Sequence, residues 1–296
     1  MSIRRRAVRL AARPLALVAI GVAVLAGCRP GAAAGAEAER VVGVSKQLNE
    51  FLYAIGAEDV LVARDLTSIY PAAITSLPSV GYHRALSAEG IIAARPTLLL
   101  TDGNVGPAPV LEQVRKVGIP VLVLGTGNTV DSAQQALAAL GARFHRERAA
   151  DSVLHAWTAG MARVRADSAR LSRLPRPRVL VMHFGQIING YLAVNRGGPA
   201  DQMITWAGGT NAIDSVGGMT RLTPELIAKA APDVIVATDV GFDRAGSAAS
   251  FATLPGVALT PAAKAGRIYR IDETELIYFG PRTPATVQKL AAMFHP

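Results

Sequence analysis

The sequence predicts an α/β fold in which two similar lobes, each with a central parallel sheet, are joined by one long helix. Three observations predict this fold. A stretch of sequence occurs twice, short apolar runs alternate with helical stretches in both halves, and a long helical stretch separates the halves. Continuous apolar runs are typical of parallel strands covered on both faces, and their alternation with helices is typical of α/β domains.

The repeated stretch covers residues 79–101 and 215–237, which align without a gap at an offset of 136 residues. Both copies begin with Ser-Val-Gly and continue to a helix N-cap, which is Ser87 in the first copy and Thr223 in the second. Each helix carries a glutamate in its first turn, ends before a proline and leads into an apolar strand. Two copies indicate a pair of related lobes rather than a solenoid.

The remaining elements follow from the same apolar pattern. In the first lobe it predicts strands at residues 41–44, 60–63, 97–100 and 121–124, with helices at 47–55 and 109–117. In the second lobe it predicts strands at residues 178–182, 234–237 and 268–271. Between the lobes, residues 147–174 carry apolar side chains at helical spacing, and Pro175 and Pro177 follow, which predicts a helix about 40 Å long. The alternative is a helix buried inside one larger domain.

The N-terminus predicts an exported lipoprotein. A basic segment and an uncharged apolar run at residues 14–27 indicate a signal peptide, since a membrane span needs roughly 20 apolar residues. The run ends in Leu25-Ala26-Gly27-Cys28, which resembles the bacterial lipobox and implies cleavage before Cys28, the only cysteine, and lipid attachment to its sulfur. An ordinary signal peptide with an incidental cysteine is the alternative, and the Arg4-Arg5 pair leaves a twin-arginine signal open.

These boundaries divide the chain into five parts. We expect a signal peptide at residues 1–27, a lipid-anchored tether at 28–39, an N-terminal lobe at 40–146, the linking helix at 147–174 and a C-terminal lobe at 175–296. The tether is predicted from its small and polar residues.

Composition and motifs exclude several functions. The formal net charge is +9, but five arginines lie within residues 1–27, so the remainder is only mildly basic. Without a dense Lys/Arg stripe, nucleic-acid binding is not expected. The sequence also lacks a G-x-S-x-G elbow, a Walker A sequence, a dinucleotide fingerprint and an H-E-x-x-H pair. We therefore expect no enzyme.

Several short stretches resemble the helix-linked substrate-binding proteins of ABC importers for haem, cobalamin and ferric siderophores, and among these the bacterial haem-transport proteins most of all. They are residues 67–71, 77–82, 86–91, 207–212, 254–257, 260–262 and 279–284. The resemblance implies two Rossmann-like lobes, with haem carried as cargo in the cleft between them. It also implies a membrane permease dimer, with its ATPase, as partner.

Tyr70 is the iron ligand that the resemblance implies, because in the haem-transport proteins the tyrosine of the Ser68-Ile69-Tyr70-Pro71 stretch ligates haem iron. Ferric iron is a hard cation, and a phenolate is a hard anionic oxygen ligand. By itself, a tyrosine on a loop is more often a packed ring with a solvated hydroxyl. Some relatives place an arginine two residues later, where this chain has Ala72. The cation must therefore come from elsewhere.

The other candidates for the pocket are less specific. Arginines that could face the cleft and bind the propionates are Arg84, Arg196, Arg221 and Arg244, although each could instead be a solvated surface charge. Apolar walls could come from Tyr82, Phe184, Tyr191, Phe242 and Tyr278, for which core packing is the alternative. His83 and His183 could supply a second axial ligand or bind a second haem, or could be ordinary polar residues.

Glu89 and Glu225 occupy equivalent positions in the two repeats, and the resemblance implies that each meets arginines of the permease. Stabilisation of the helix dipole alone is the alternative. For the whole chain, two other functions remain open: a binding protein for cobalamin or a ferric siderophore, and a lobed metal-dependent enzyme.

Overall fold

Strands and helices alternate along the chain as the apolar pattern predicts. The computed structural model describes residues 39–125, 127–185 and 188–296. Its strands are β1 (Val41–Val44), β2 (Leu61–Arg64), β3 (Leu98–Thr101), β4 (Val121–Val123), β5 (Arg178–Gly185), β6 (Gly190–Val194), β7 (Thr210–Asn211), β8 (Met219–Arg221), β9 (Val234–Thr238) and β10 (Ile268–Ile271). Its α-helices are α1 (Lys46–Ala54), α2 (Ala88–Ala93), α3 (Val110–Lys116), α4 (Val130–Arg143), α5 (Glu147–Leu171), α6 (Pro199–Trp206), α7 (Pro224–Ala230), α8 (Asp239–Ala245), α9 (Ala248–Ala252), α10 (Pro261–Lys264), α11 (Glu273–Ile277) and α12 (Thr283–Phe294). The ends of the predicted elements agree with these bounds to within three residues.

The first lobe is built on a fully parallel sheet in the order β2-β1-β3-β4. Every residue of the central strand β1 is buried. Val41 packs in the cluster that contains Leu48 of α1 and Leu137 of α4, whereas Val42 packs with Ile91 of α2 on the other face. Helices therefore cover both faces of the sheet, which explains the unbroken apolar runs.

The second lobe contains a mixed sheet in the order β10-β9-β5-β6-β8, with β7 beside the start of β5. Strands β10, β9, β5 and β7 are parallel, but β6 and β8 run antiparallel to their neighbours. The expectation of a parallel sheet is thus corrected for this edge. The reason is that β5 continues past Met182 to Gly185 and pairs with β6 as a hairpin.

The linking helix α5 runs for 25 residues between the two sheets. It ends three residues before the predicted Leu174, because Ser172 caps it and a turn leads from Leu171 to Leu174. Trp157 of α5 lies in one apolar core with Val41 of β1 and Val179 of β5. Because both lobes pack on the same helix, α5 restricts how far they can move apart. The predicted fold class of two α/β lobes joined by one helix is confirmed.

The predicted export signal lies mostly outside the described residues. Cys28, the signal peptide and residues 28–38 of the tether are not part of the region that the structure describes. Glu39, the last residue of the predicted tether, forms an ion pair with Arg143 at the end of α4. No helix of the described regions is long and apolar enough to cross a membrane.

Candidate functional site

The carboxyl ends of the strands in the two sheets face each other, and polar residues follow them on both sides. In open α/β sheets, ligands bind at this edge. Ser45, Asp65 and Asp102 follow strands of the first lobe, and Asp239 and Asp272 follow strands of the second. His183 lies near the carboxyl end of β5. The space between these two edges is the candidate ligand cleft.

Helix α1 connects the two edges through three side chains. Lys46 forms an ion pair with Glu273 of α11, and the side-chain amide of Gln47 donates to the carbonyl oxygen of Phe279 at 2.7 Å. One turn later, Glu50 accepts two hydrogen bonds from Arg282, at 2.7 and 2.6 Å. Residues four apart lie on one face of a helix. This face of α1 therefore presents the positive charge of Lys46 and the negative charge of Glu50 to the second lobe.

Tyr70 lies at the boundary between the lobes. It ends the loop that follows β2, its side chain is partly exposed at 37%, and the Arg282 guanidinium carbon of the second lobe lies 3.7 Å from the centroid of its ring. Leu66 and Ile69 of the same loop are also exposed, at 49% and 45%. The loop thus places an aromatic ring at the boundary between the lobes and exposes two apolar side chains.

Arg282 is the cation that sequence reasoning missed. It donates to both carboxylate oxygens of Glu50, and its third nitrogen lies 3.4 Å from Glu275. Burial alone would lower the pKa of Arg282, but the hydrogen bonds and charge of Glu50 raise it above its ordinary value. Burial raises the pKa of Glu50, although Arg282 opposes this. The one available signal was that Arg282 lies within the resembling stretch 279–284.

His83 and His183 approach the cleft from opposite lobes, and each side chain is 15% exposed. Nδ1 of His83 lies 3.2 Å from Oγ1 of Thr67, and Nδ1 of His183 lies 3.5 Å from Glu273. Burial lowers the pKa of both imidazoles, and the nearby carboxylates only partly offset this. Both rings are therefore neutral at neutral pH, which leaves a nitrogen lone pair on each.

Two small cavities, each with room for about one water molecule, lie between the lobes, and Tyr278 lines both. Burial raises the pKa of the Tyr278 hydroxyl, so it stays protonated.

The family of the chain follows from its sequence match. Residues 41–275 match the periplasmic binding protein family. The chain belongs to that family. Its members are the substrate-binding proteins of ABC transporters, which pair with a permease and an ATPase, and are not enzymes. The predicted resemblance to the substrate-binding proteins of ABC importers is confirmed.

Several solved and curated proteins are similar to this periplasmic binding protein. The structure is similar to that of the apo form of the periplasmic haem-binding protein RhuT from Roseiflexus sp. RS-1, with 31% identity and a TM-score of 0.78 over 88% of this chain and 98% of that chain. An uncharacterised ABC transporter substrate-binding lipoprotein, YvrC of Bacillus subtilis, is 22% identical over 88% of this chain and 81% of its own length. A vitamin B12-binding protein of Vibrio parahaemolyticus is 33% identical, but over only 32% of this chain and 34% of its own length.

The predicted arginines of the binding protein occupy different environments. Arg84 is exposed, but its charge acts on His83, His183 and Tyr278, which places it at the cleft. Arg196 follows β6, whose antiparallel course carries it toward the amino end of β5, and it lies 3.8 Å from Asp214. Of these two, only Arg84 adjoins the candidate cleft.

The other two arginines lie on the second lobe. Arg221 ends the edge strand β8 and is exposed. Arg244 covers the ring of Phe184, with 4.3 Å between its guanidinium carbon and the ring centroid. Neither contacts Tyr70 or the two histidines.

The aromatic candidates divide between the cleft and the core. Tyr82 packs against the ring of His83, at 4.6 Å between centroids, beside the cleft. Phe184 and Phe242 instead belong with Tyr191 to an aromatic cluster around Phe251, inside the second lobe. These three rings therefore pack within the second lobe, which was the alternative to a place in the apolar wall of the pocket.

Glu89 and Glu225 are exposed in the first turns of α2 and α7. Each helix leads into a parallel strand, β3 or β9, so each begins on the carboxyl side of its sheet, which is the side of the cleft. A backbone N–H and the Thr223 hydroxyl lower the pKa of Glu225. The two carboxylates therefore mark the same face of the molecule on separate lobes.

Within the regions that the structure describes, no group of three or more His, Cys, Asp or Glu side chains is placed to hold a metal ion.

Proposed function

We propose that this periplasmic binding protein captures haem in the interlobe cleft, with Tyr70 as the iron ligand, and delivers it to an ABC importer permease for iron acquisition. The observation that carries the proposal is the position of Tyr70. Its ring is accessible at the cleft and lies against a cation of the opposite lobe. A phenolate that ligates ferric iron is anionic, so a nearby cation stabilises it.

The remaining cleft residues suit the rest of the haem molecule. Arg84 and Lys46 are the cations near both histidines, and they would balance the two propionates. The neutral imidazole of His83 or His183 can serve as a second axial ligand or hold a second haem. Tyr82 and the exposed Leu66 and Ile69 can contact the porphyrin.

Export and anchoring belong to the same proposal. We propose cleavage before Cys28 and lipid attachment to its sulfur, which would hold the protein at the periplasmic or cell-surface side of a membrane. The lipoprotein name of YvrC supports this. The test is incorporation of radiolabelled palmitate into the full chain, which Cys28→Ala should abolish, and incorporation that persists in this variant would contradict the anchor.

The test of the ligand is a haemin titration followed by absorption spectroscopy. Wild-type protein should give a high-spin ferric spectrum with a tyrosinate charge-transfer band. In Tyr70→Phe this band should disappear, and affinity should fall at least about tenfold, which corresponds to about 1.4 kcal/mol. Tyr53→Phe, on α1, serves as the control and should match the wild type.

Cobalamin is the second candidate, and the partial match to a vitamin B12-binding protein favours it. Cobalamin does not require a tyrosine ligand. Tight binding of cyanocobalamin that Tyr70→Phe leaves unchanged, with weak binding of haemin, would replace haem by cobalamin as the cargo.

A further inference from the structure

Two carboxylates hold the guanidinium group of Arg282 in place. Its three guanidinium nitrogens face two carboxylates: Nε and one terminal nitrogen donate to Glu50, and the other terminal nitrogen faces Glu275. Glu275 in turn lies 3.3 Å from Nζ of Lys289. The side chains of Arg282, Glu50 and Glu275 are only 22%, 12% and 19% exposed. The network fixes the plane and the position of the guanidinium.

The same guanidinium covers the face of the Tyr70 ring at 3.7 Å, which is well within the distance of a cation–π contact. Arg282 thus contacts both Tyr70 and Glu50, two residues of the first lobe that are 20 positions apart. It reaches them from the second lobe. The Tyr70 ring therefore lies between its own loop and the Arg282 guanidinium. Glu50, on helix α1 of the same lobe as Tyr70, holds that guanidinium in place.

We propose that Arg282 is a positioning residue for the Tyr70 ligand, and that Glu50 and Glu275 hold it over the ring. This inference rests on the proposed haem-binding function. The fixed cation holds the phenol ring at the cleft and stabilises the negative charge on its oxygen when iron binds. Because Tyr70 and Arg282 belong to different lobes, the tyrosine ligand is complete only while the lobes are together. Separation of the lobes withdraws Arg282 and weakens the bond between oxygen and iron.

A purely structural role for the Glu50–Arg282 pair gives different expectations. If the pair only holds the lobes together, replacing both residues by neutral amides of similar size should preserve haemin binding, since breaking one partner of a buried pair is more harmful than removing both. If Arg282 acts on Tyr70, the doubly neutral protein folds but still ligates iron poorly. The double variant Glu50→Gln/Arg282→Gln therefore separates the two roles.

The experiment measures the haemin spectrum and the rate of haemin transfer to apomyoglobin. The variants are Arg282→Gln, Arg282→Lys, Glu50→Gln and the double variant, with Tyr70→Phe alongside. Arg270→Gln is the matched control, since Arg270 makes a similar two-bond pair with Asp243 at 2.7 Å without touching Tyr70. We expect transfer to be roughly tenfold faster or more in Arg282→Gln and the double variant, the scale of a desolvated cation–π contact. Their tyrosinate band should shift, Arg282→Lys should recover part of both properties, and Arg270→Gln should match the wild type.

The outcomes distinguish this inference from the proposed function. If wild-type protein forms no tyrosinate complex, or Tyr70→Phe equals the wild type, the haem proposal fails and the inference with it. If Tyr70→Phe loses the band but the double variant keeps the wild-type spectrum and transfer rate, only the inference is overturned. Circular dichroism checks that each variant is folded. If Glu50→Gln does not fold, the double variant and Arg282→Lys decide between a positioning and a structural role of Arg282.

Discussion

At Asp65, a single buried carboxylate organises the loop that ends in Tyr70. Its side chain is 1% exposed and accepts hydrogen bonds from the Thr67 amide at 2.8 Å and the Ser68 hydroxyl at 2.5 Å. Asn49 of α1 donates to the same Ser68 hydroxyl at 2.9 Å. The position of Tyr70 therefore depends on a polar network that joins its loop to α1.

Asp65→Asn should disturb this network, because an amide has one acceptor oxygen where three donors now reach two carboxylate oxygens. We expect a loss of about 1–3 kcal/mol in the free energy of unfolding, together with weaker haemin binding. Urea denaturation and haemin titration measure the two effects. Asp59→Asn is the control, since the Asp59 side chain is 72% exposed. Haemin affinity that stays at the wild-type value in Asp65→Asn would show that the network does not position Tyr70.

Single residues were also where prediction from sequence was weakest. The loop around Tyr70 was found because its stretch is contiguous and resembles known proteins. Arg282 was not recognised as the cation, because its contact with Tyr70 arises only when the two lobes meet. Conversely, Arg196 was a candidate by chemistry alone, and the antiparallel course of β6 carries it away from the cleft edge.

At the scale of elements, strands and helices could be predicted where their apolar pattern is continuous. Strands β6 and β8 were not predicted, because the first is a mixed run beginning at a glycine and the second is three residues long with exposed ends. Such strands exist only because a neighbouring strand offers them an edge: β6 pairs with β5, and β8 pairs with β6. Their direction depends on pairing, which a local pattern does not encode.

The turn before the short helical segment at Val257–Leu259 depends on the backbone conformation and the close packing of one glycine, Gly256. Gly256 has φ of +82°, and a Cβ there would lie 2.4 Å from the carbonyl oxygen of Pro224, the residue before Glu225. Gly246 has nearly the same φ, +83°, but open space around it. These two glycines form a matched pair in which only the contact differs.

We expect Gly246→Ala to lower the free energy of unfolding by about 1–2 kcal/mol, the cost of a left-handed alanine. Gly256→Ala should lower it by about 1–3 kcal/mol more, because the methyl group must displace the start of α7. Chemical denaturation of both variants measures the difference. Equal losses in the two variants would mean that the loop yields freely and does not fix α7.

At the scale of the whole molecule, the two lobes present Glu89 and Glu225 on one face, beside the same cleft edge. The internal repeat predicted their equivalence, and the fold adds that both helices begin on the cleft side. A permease that binds both carboxylates would fix the orientation of the two lobes separately. Because Arg282 of one lobe is proposed to position Tyr70 of the other, any change in the distance between the lobes also changes the tyrosine ligand.

Glu89→Gln/Glu225→Gln should therefore bind haemin like the wild type but dock poorly. We expect the concentration needed for half-maximal stimulation of the permease–ATPase complex in proteoliposomes to rise roughly tenfold or more. Each single variant should account for part of the rise, since distant sites contribute independently. The docking of the wild type should weaken with added salt, and that of the double variant should respond less.

Glu112→Gln is the control, because Glu112 is a 70% exposed glutamate on α3 outside the repeated helix starts. It should stimulate the ATPase like the wild type. Full stimulation by the double variant at wild-type concentrations would mean that docking uses another surface. A loss shared equally by Glu112→Gln would mean that total charge, rather than the two marked positions, attracts the permease.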